Sequence, residues 1–150
     1  MKTIEQLAQE SASAFLAAAD KRILVLDGAM GTMIQRLGLT EEDFHPKGME
    51  DHKILLKGNN ELLSLSRPDA IRKIHEQYLE AGADIIETNT FSATSIAQAE
   101  HECSHLAREM NLASVRLAKE ACAKYTAMDP AKPRFVAGAI GPMNKTASLS

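Results

Sequence analysis

Apolar residues along this chain fall into two patterns. In three places they run unbroken and stop sharply at small or polar residues. Residues 23–26 lead into Asp27-Gly28-Ala29-Met30-Gly31-Thr32, residues 83–86 into Glu87-Thr88-Asn89-Thr90-Phe91, and residues 135–140 into Gly141-Pro142. Short continuous apolar runs are how buried parallel strands read. Between them the apolar positions recur at helical spacing. Residues 3–19 predict an opening helix, with Thr3 and Gln6 spaced as a capping box and Ile4, Leu7, Ala8, Phe15 and Ala18 on one face, placed to cover one end of a core. A short helix is expected over residues 32–37. Another should begin near Ser66, with Pro68 and Asp69 suited to its first turn, Ile71, Ile74, Tyr78 and Leu79 inward, and Gly82 at its end. Residues 92–125 read as helix in two segments meeting at 109–111, with Ile96, Ala99, Met110, Leu117, Ala118, Ala121 and Tyr125 facing the core. Asp129-Pro130 and Pro133 mark the turn into the third strand.

The order helix, strand, helix, strand, helix, strand, with connections long enough for crossovers, implies an α/β fold with parallel pairing. Doubly wound sheets and eight-stranded barrels both begin this way. A complete barrel takes about 250 residues, and three strands leave both edges of a sheet open, so the chain reads as the first part of something larger. Residues 38–60 form a long polar stretch broken by Pro46, Gly48 and Gly58, of a length that is usually functional or disordered.

Charge and cysteine content narrow the options. A formal net charge of −3 offers no basic field for nucleic acid. No apolar run approaches the roughly 20 residues of a membrane span, and Glu5 and Glu10 stand where a secretory signal would be basic, which points to the cytoplasm. Two cysteines, Cys103 and Cys122, make no disulfide framework and are expected reduced, as small apolar packing in helices.

In α/β proteins ligands gather beyond the carboxyl ends of the strands, which directs attention to Asp27, Asn89 and Gly141. Gly28 and Gly31 lack the G-x-G-x-x-G spacing of a dinucleotide loop, and Asp27 would repel a pyrophosphate. An acidic side chain beside main-chain N–H groups suits a zwitterion instead, the carboxylate taking an ammonium and the amides a carboxylate. Taken alone, Asp27-Gly28 fits a simple turn cap better than a ligand site. His101-Glu102-Cys103-Ser104-His105 is a literal H-E-x-x-H, which on a helix would hold zinc in a peptidase, with Glu109 or Glu120 as a third ligand. Such histidines more often sit on a solvated helix surface. His45, His52 and His75 read as surface or helix-flank residues, and Asn144-Lys145-Thr146 fits a glycosylation sequon that has no meaning in the cytoplasm.

Four ordered motifs carry a resemblance. ILVLDGAMGTMIQ, LKGNNELLSLSRPDAI, AGADIIETNTF and VAGAIGP, from Arg22 to Ser150, resemble the amino-terminal homocysteine-binding domain of the cobalamin-dependent methionine synthases. LDGAMGT and ETNTF are similar to the wider homocysteine S-methyltransferase family, whereas LKGNNELL and KPRFVAGAIGP look like the cobalamin-dependent branch. The resemblance implies the first part, about three βα units, of a (β/α)8 TIM barrel, with residues 1–21 as an extra N-terminal helix and 22–150 as an incomplete barrel domain. It implies that homocysteine is bound as substrate and that a zinc-activated thiolate takes a methyl group from methylcobalamin, regenerated from 5-methyltetrahydrofolate, to give methionine. Asp27 and Gly28 match the family's substrate-holding turn, and Glu87, Asn89, Thr90 and Gly141 would line the same pocket. The family's three zinc cysteines, in G-x-N-C and G-G-C-C type motifs, do not occur in this sequence. Ligands for zinc and cobalamin are therefore expected from the remaining barrel and the cobalamin and folate domains of the same enzyme, and this segment alone is expected to be inactive. Other readings are a betaine- or S-methylmethionine-type methyltransferase and a non-catalytic homocysteine-binding module.

Overall fold

The computed structural model describes residues 3–142. Helix α1 (Ile4–Ala19) starts with the reciprocal Thr3–Gln6 capping box. Its hold on the rest is slight: Phe15 packs edge-on against Phe135 with ring centroids 5.4 Å apart, while Leu7 and Leu16 are exposed.

Helix α2 spans Met30–Arg36, α3 Leu63–Ser66, α4 Pro68–Glu80 and α5 Ala107–Met128. Strands β1 (Ile85–Glu87) and β2 (Phe135–Ala137) pair in parallel, with Ile85 opposite Phe135 and Glu87 opposite Ala137. The crossover between them carries α5, as parallel neighbours require. Pro68 opens α4 at a first-turn position where its missing N–H costs nothing, and Gly82, at φ +110°, turns the chain into β1.

Three expectations need correction. The strand predicted over residues 23–26 narrows to one bridge, Leu26 to Ile85, although the amides of Asp84 and Ile85 both donate to the Val25 carbonyl, at 2.8 and 3.1 Å. This run has a sheet neighbour on one side only, and Ile23 is 89% exposed. The third strand ends at Ala137, before the exposed Ile140. The helix predicted from residue 92 is broken, not at 109–111, where α5 runs uninterrupted, but at Glu102, which sits at φ +54° between 3-10 turns at Ala97–His101 and Ser104–Leu106. Ile96 and Ala99 consequently face solvent, whereas Met110, Leu117, Ala118 and Ala121 are buried as their spacing indicates.

The core has two parts. Leu79, Ala83, Ile86, Ala118, Ala121 and Cys122 pack between α4, β1 and α5. A larger cluster joins Ile34 of α2, Leu62, Leu63, Ile71 and Ile74 to Met110 and Leu117 of α5, and also takes in Phe44 and Leu56. Those last two come from the polar stretch 38–60, which is therefore a packed lobe. Burying each contributes about 1.5–3 kcal/mol, part of what offsets the entropy of ordering a segment with little regular structure.

At the amino-terminal end of β1 lies a charge knot. Asp84 is 1% exposed; Arg22 donates to both its oxygens, at 2.8 and 2.7 Å, and the Val25 amide donates at 2.9 Å. Lys132 and Arg134 stand at 3.8 and 3.9 Å. The Arg22 hydrogen bonds hold the Asp84 carboxyl below its usual range. This knot ties the chain before the first strand position to both strands, at the end of the sheet away from the expected ligand site.

Candidate functional site

Beyond the carboxyl ends of the strands is a cavity of about 440 Å³. The turn after the first strand position supplies Asp27 and Gly28, the end of β1 supplies Glu87, Asn89 and Thr90, and the lobe supplies Gly58, Asn60 and Glu61. Five of the six residues singled out from the sequence thus line one space. Gly141 does not line it. Its amide donates to the Phe91 carbonyl at 2.9 Å, and a Cβ there would meet that oxygen at 2.6 Å, so Gly141 is a contact that seats Phe91, which itself lines the cavity.

Asp27 is the most distinctive group. Its Oδ2 accepts the Glu87 amide at 3.1 Å, whereas Oδ1 is buried with no partner among the described residues. Burial pushes its carboxyl up to about 6, the Glu87 charge adding to the rise and the Glu87 amide opposing it. Ionising such a group favours a cationic partner at Oδ1. The cavity's charged lining residues, Asp27, Glu61 and Glu87, are all acidic. Gly28 is small because Tyr78 lies against it: a Cβ would stand 3.2 Å from the Tyr78 hydroxyl, which donates to the Ala29 carbonyl at 3.4 Å.

Thr88 and Thr90 hold the loop after β1. Their hydroxyls are 2.6 Å apart, Thr90 donates to the Ala139 carbonyl at 2.8 Å, and the Ala139 amide donates to Thr88 at 3.1 Å. Asn89 is a brace as well as a lining residue, its amide nitrogen donating to the Asn60 carbonyl at 2.8 Å and to the Ser64 hydroxyl at 3.2 Å. Ser114 of α5 closes this network on Ser64 at 2.7 Å and on the Asn89 carbonyl at 3.0 Å. Glu61 accepts the Ser92 amide at 3.0 Å, and Asn59 exchanges two amide hydrogen bonds with Gln98, at 2.7 and 2.9 Å.

Reading strand ends alone missed Gly58, Asn60 and Glu61. Their signal was available in the Lys57-Gly58-Asn59-Asn60-Glu61 run, where amide and carboxylate side chains follow a glycine that takes φ +105°.

The H-E-x-x-H segment does not form a peptidase site. Its helix is interrupted at Glu102, so His101 and His105 do not share one helical face, and the His101 carbonyl instead accepts from the Cys103 thiol and lies 2.9 Å from the His52 ring. Of the other histidines, His45 flanks the 3-10 turn Glu41–Phe44 as expected, whereas His75 departs from expectation. His45 is tied to Glu41 and Met49, and His75 is completely buried in α4. The sequon lies outside the described residues.

No three His, Cys, Asp or Glu side chains converge on a metal position among the described residues. Cys103 and Cys122 are buried and separate, and burial raises both thiols, Cys122 to about 12. They do not fit the thiolate donors a zinc ion takes. No helix among the described residues is long and apolar enough to cross a membrane.

Parallel strands with helices in the crossovers define an α/β protein, and the carboxylate-lined cavity lies at the carboxyl rim, where such proteins gather ligands. More specifically, the chain belongs to the homocysteine S-methyltransferase family, whose model matches residues 24–150. Among solved structures it is similar to the homocysteine methyltransferase MmuM from Escherichia coli. The metallated form matches at 29% identity and a TM-score of 0.63, over 84% of this chain and 40% of that one. The oxidized form matches at 30% identity and 0.63, over 83% and 39%, and the apo form at 27% and 0.59, over 87% and 41%. The chain thus spans about two fifths of the length of these structures.

Proposed function

We propose that this chain forms the amino-terminal portion, residues 22–150, of a homocysteine-binding (β/α)8 barrel preceded by an extra helix, and that the parent protein is a cobalamin-dependent methionine synthase of the cytoplasm. The observation that carries the substrate is the unpartnered Oδ1 of Asp27 inside the rim cavity. An α-ammonium group would satisfy that oxygen with a charge-assisted hydrogen bond. The main-chain N–H groups that follow, which no side chain caps at Ala29, would take the α-carboxylate. Glu87, Asn89 and Thr90 would complete the walls, and Gly141 would act through Phe91.

In this reading the chain binds and orients the amino-acid end of homocysteine. No group of three His, Cys, Asp or Glu side chains that could hold zinc occurs among the described residues, and this reading assigns the sulfur chemistry to the rest of the parent enzyme. LKGNNELL and KPRFVAGAIGP support the cobalamin-dependent branch over betaine- or S-methylmethionine-dependent relatives.

Calorimetric titration of the chain with L-homocysteine, with EDTA present, tests the pocket. Binding to the wild type and about 10-fold to 100-fold weaker binding to Asp27→Asn is expected, the range of a lost hydrogen bond to a charged group. No binding to the wild type, or equal binding to both, overturns the reading. Assaying the parent protein with methylcobalamin, betaine and S-methylmethionine as donors decides the branch, and no turnover with any of them would leave a binding module.

A further inference from the structure

The lobe that supplies one wall of the cavity contains a device that neither catalysis nor the core explains. Glu41, in the 3-10 turn Glu41–Phe44, reaches across the lobe to accept the Leu56 amide at 2.6 Å and the Lys57 amide at 2.8 Å. Directly after those two amides come Gly58, Asn60 and Glu61 of the cavity wall. His45 meets the same oxygen that accepts the Leu56 amide: its Nε2 lies 2.9 Å from Glu41 Oε1, while its Nδ1 lies 2.8 Å from the Met49 carbonyl. A carbonyl and an ionised carboxylate only accept. A neutral imidazole has one donor nitrogen and one acceptor, so it can satisfy only one of these contacts, whereas an imidazolium satisfies both.

We propose that Glu41 and His45 form a protonation-dependent strut that positions the Gly58–Glu61 wall of the rim cavity, so that ligand binding weakens as His45 loses its proton. The charged groups acting on the ring are Glu41 and Glu50, both of which favour the cation and, with the Met49 carbonyl, raise its affinity for a proton. Lys57 on the opposing strap is exposed and meets Glu41 through its backbone. Asp43, on the same turn as Glu41, is occupied by Arg67. His45 and Glu41 are positioning residues, and the effect on homocysteine rests on the function proposed above.

The test has two readouts on the intact chain. By nuclear magnetic resonance, His45 should titrate above a free histidine, with protons on both ring nitrogens on the acid side of its transition. Exchange protection of the Leu56 and Lys57 amides, corrected for intrinsic rates, should fall about tenfold as the ring deprotonates, the scale of one lost charged hydrogen bond. His45→Gln should remove that pH dependence, and Glu41→Gln should bring the ring's titration back toward that of a free histidine. Homocysteine affinity should then show an alkaline decline in the wild type that is absent from His45→Gln. A ring that titrates no higher than a free histidine, or identical amide protection in wild type and His45→Gln across the titration, overturns the strut. Failure of homocysteine to bind overturns the substrate reading instead, and leaves the amide measurement to decide the strut by itself.

Discussion

His75 offers the sharpest quantitative prediction. It is completely buried in α4, neither ring nitrogen has a partner among the described residues, and desolvation pushes its pKa down to about 4. The folded protein therefore keeps this ring neutral, while the unfolded chain protonates it near pH 6.5. With the folded value depressed, the unfolded state binds more protons below pH 6.5, so stability is intact above that pH and lost as pH falls towards 4. Linkage between 6.5 and about 4 gives a loss of about 2 kcal/mol from pH 7.5 to pH 5, approaching about 3.4 kcal/mol at lower pH. The assay is urea denaturation of the wild type and His75→Leu at both pH values. Leucine matches the ring roughly in volume and brings no polar atom, so the variant should equal or exceed the wild type at pH 7.5. Because all other titrating groups are shared, the stability gap should widen in the variant's favour by about 2 kcal/mol at pH 5. A gap that stays constant between the two pH values would refute the argument and place a proton partner beside His75.

Homocysteine binding should weaken on the acid side, because an Asp27 titrating at about 6 is only about one-eleventh ionised at pH 5; calorimetry across pH should show this limb in the wild type and not in Asp27→Asn. Asp84→Asn should lower stability by about 1.5–3 kcal/mol in denaturant titrations, the scale of lost hydrogen bonds to a charged group, because the half-exposed Arg22 can turn to water while the Val25 amide and the buried end of Arg134 lose their anion. Gly141→Ala should displace the Phe91 loop and weaken homocysteine binding, because the contact at 2.6 Å is with a backbone oxygen that has no rotamer to escape through; unchanged affinity would show that the loop is not part of the pocket.

Much of the fold follows from local pattern. β1 and its rim were visible because a strand buried between α4 and α5 must be apolar throughout, and because Gly82 and the polar run from Glu87 bound it. α4 was visible from Pro68, its spacing and its terminal glycine. The lobe was not. Its order comes from one carboxylate capping two distant amides and from Phe44 and Leu56 entering a core built by other elements, and neither leaves a periodic trace. Glu102 was missed for a related reason, since a non-glycine residue at positive φ carries no marker in the sequence. At the site, the rim residues were legible because strand ends announce them. The bracing by Ser64, Ser114 and Gln98 was not, because those residues look like ordinary helix or turn polar groups until α5 is packed against α3.

The cavity's walls come from segments around residues 27, 60, 90 and 139, and the bonds that join them span long stretches of chain: Asn59 to Gln98 across 39 residues, Thr90 to Ala139 across 49, Glu87 to Asp27 across 60. Each such closure has its entropic cost before it is rewarded. Helix α5, at 22 residues, is long enough to form from local contacts before these distant partners meet. Ligand recognition should therefore come late in folding and serve as a report that folding has finished: a species with native helix content and an undocked lobe would look folded by circular dichroism and still fail to bind.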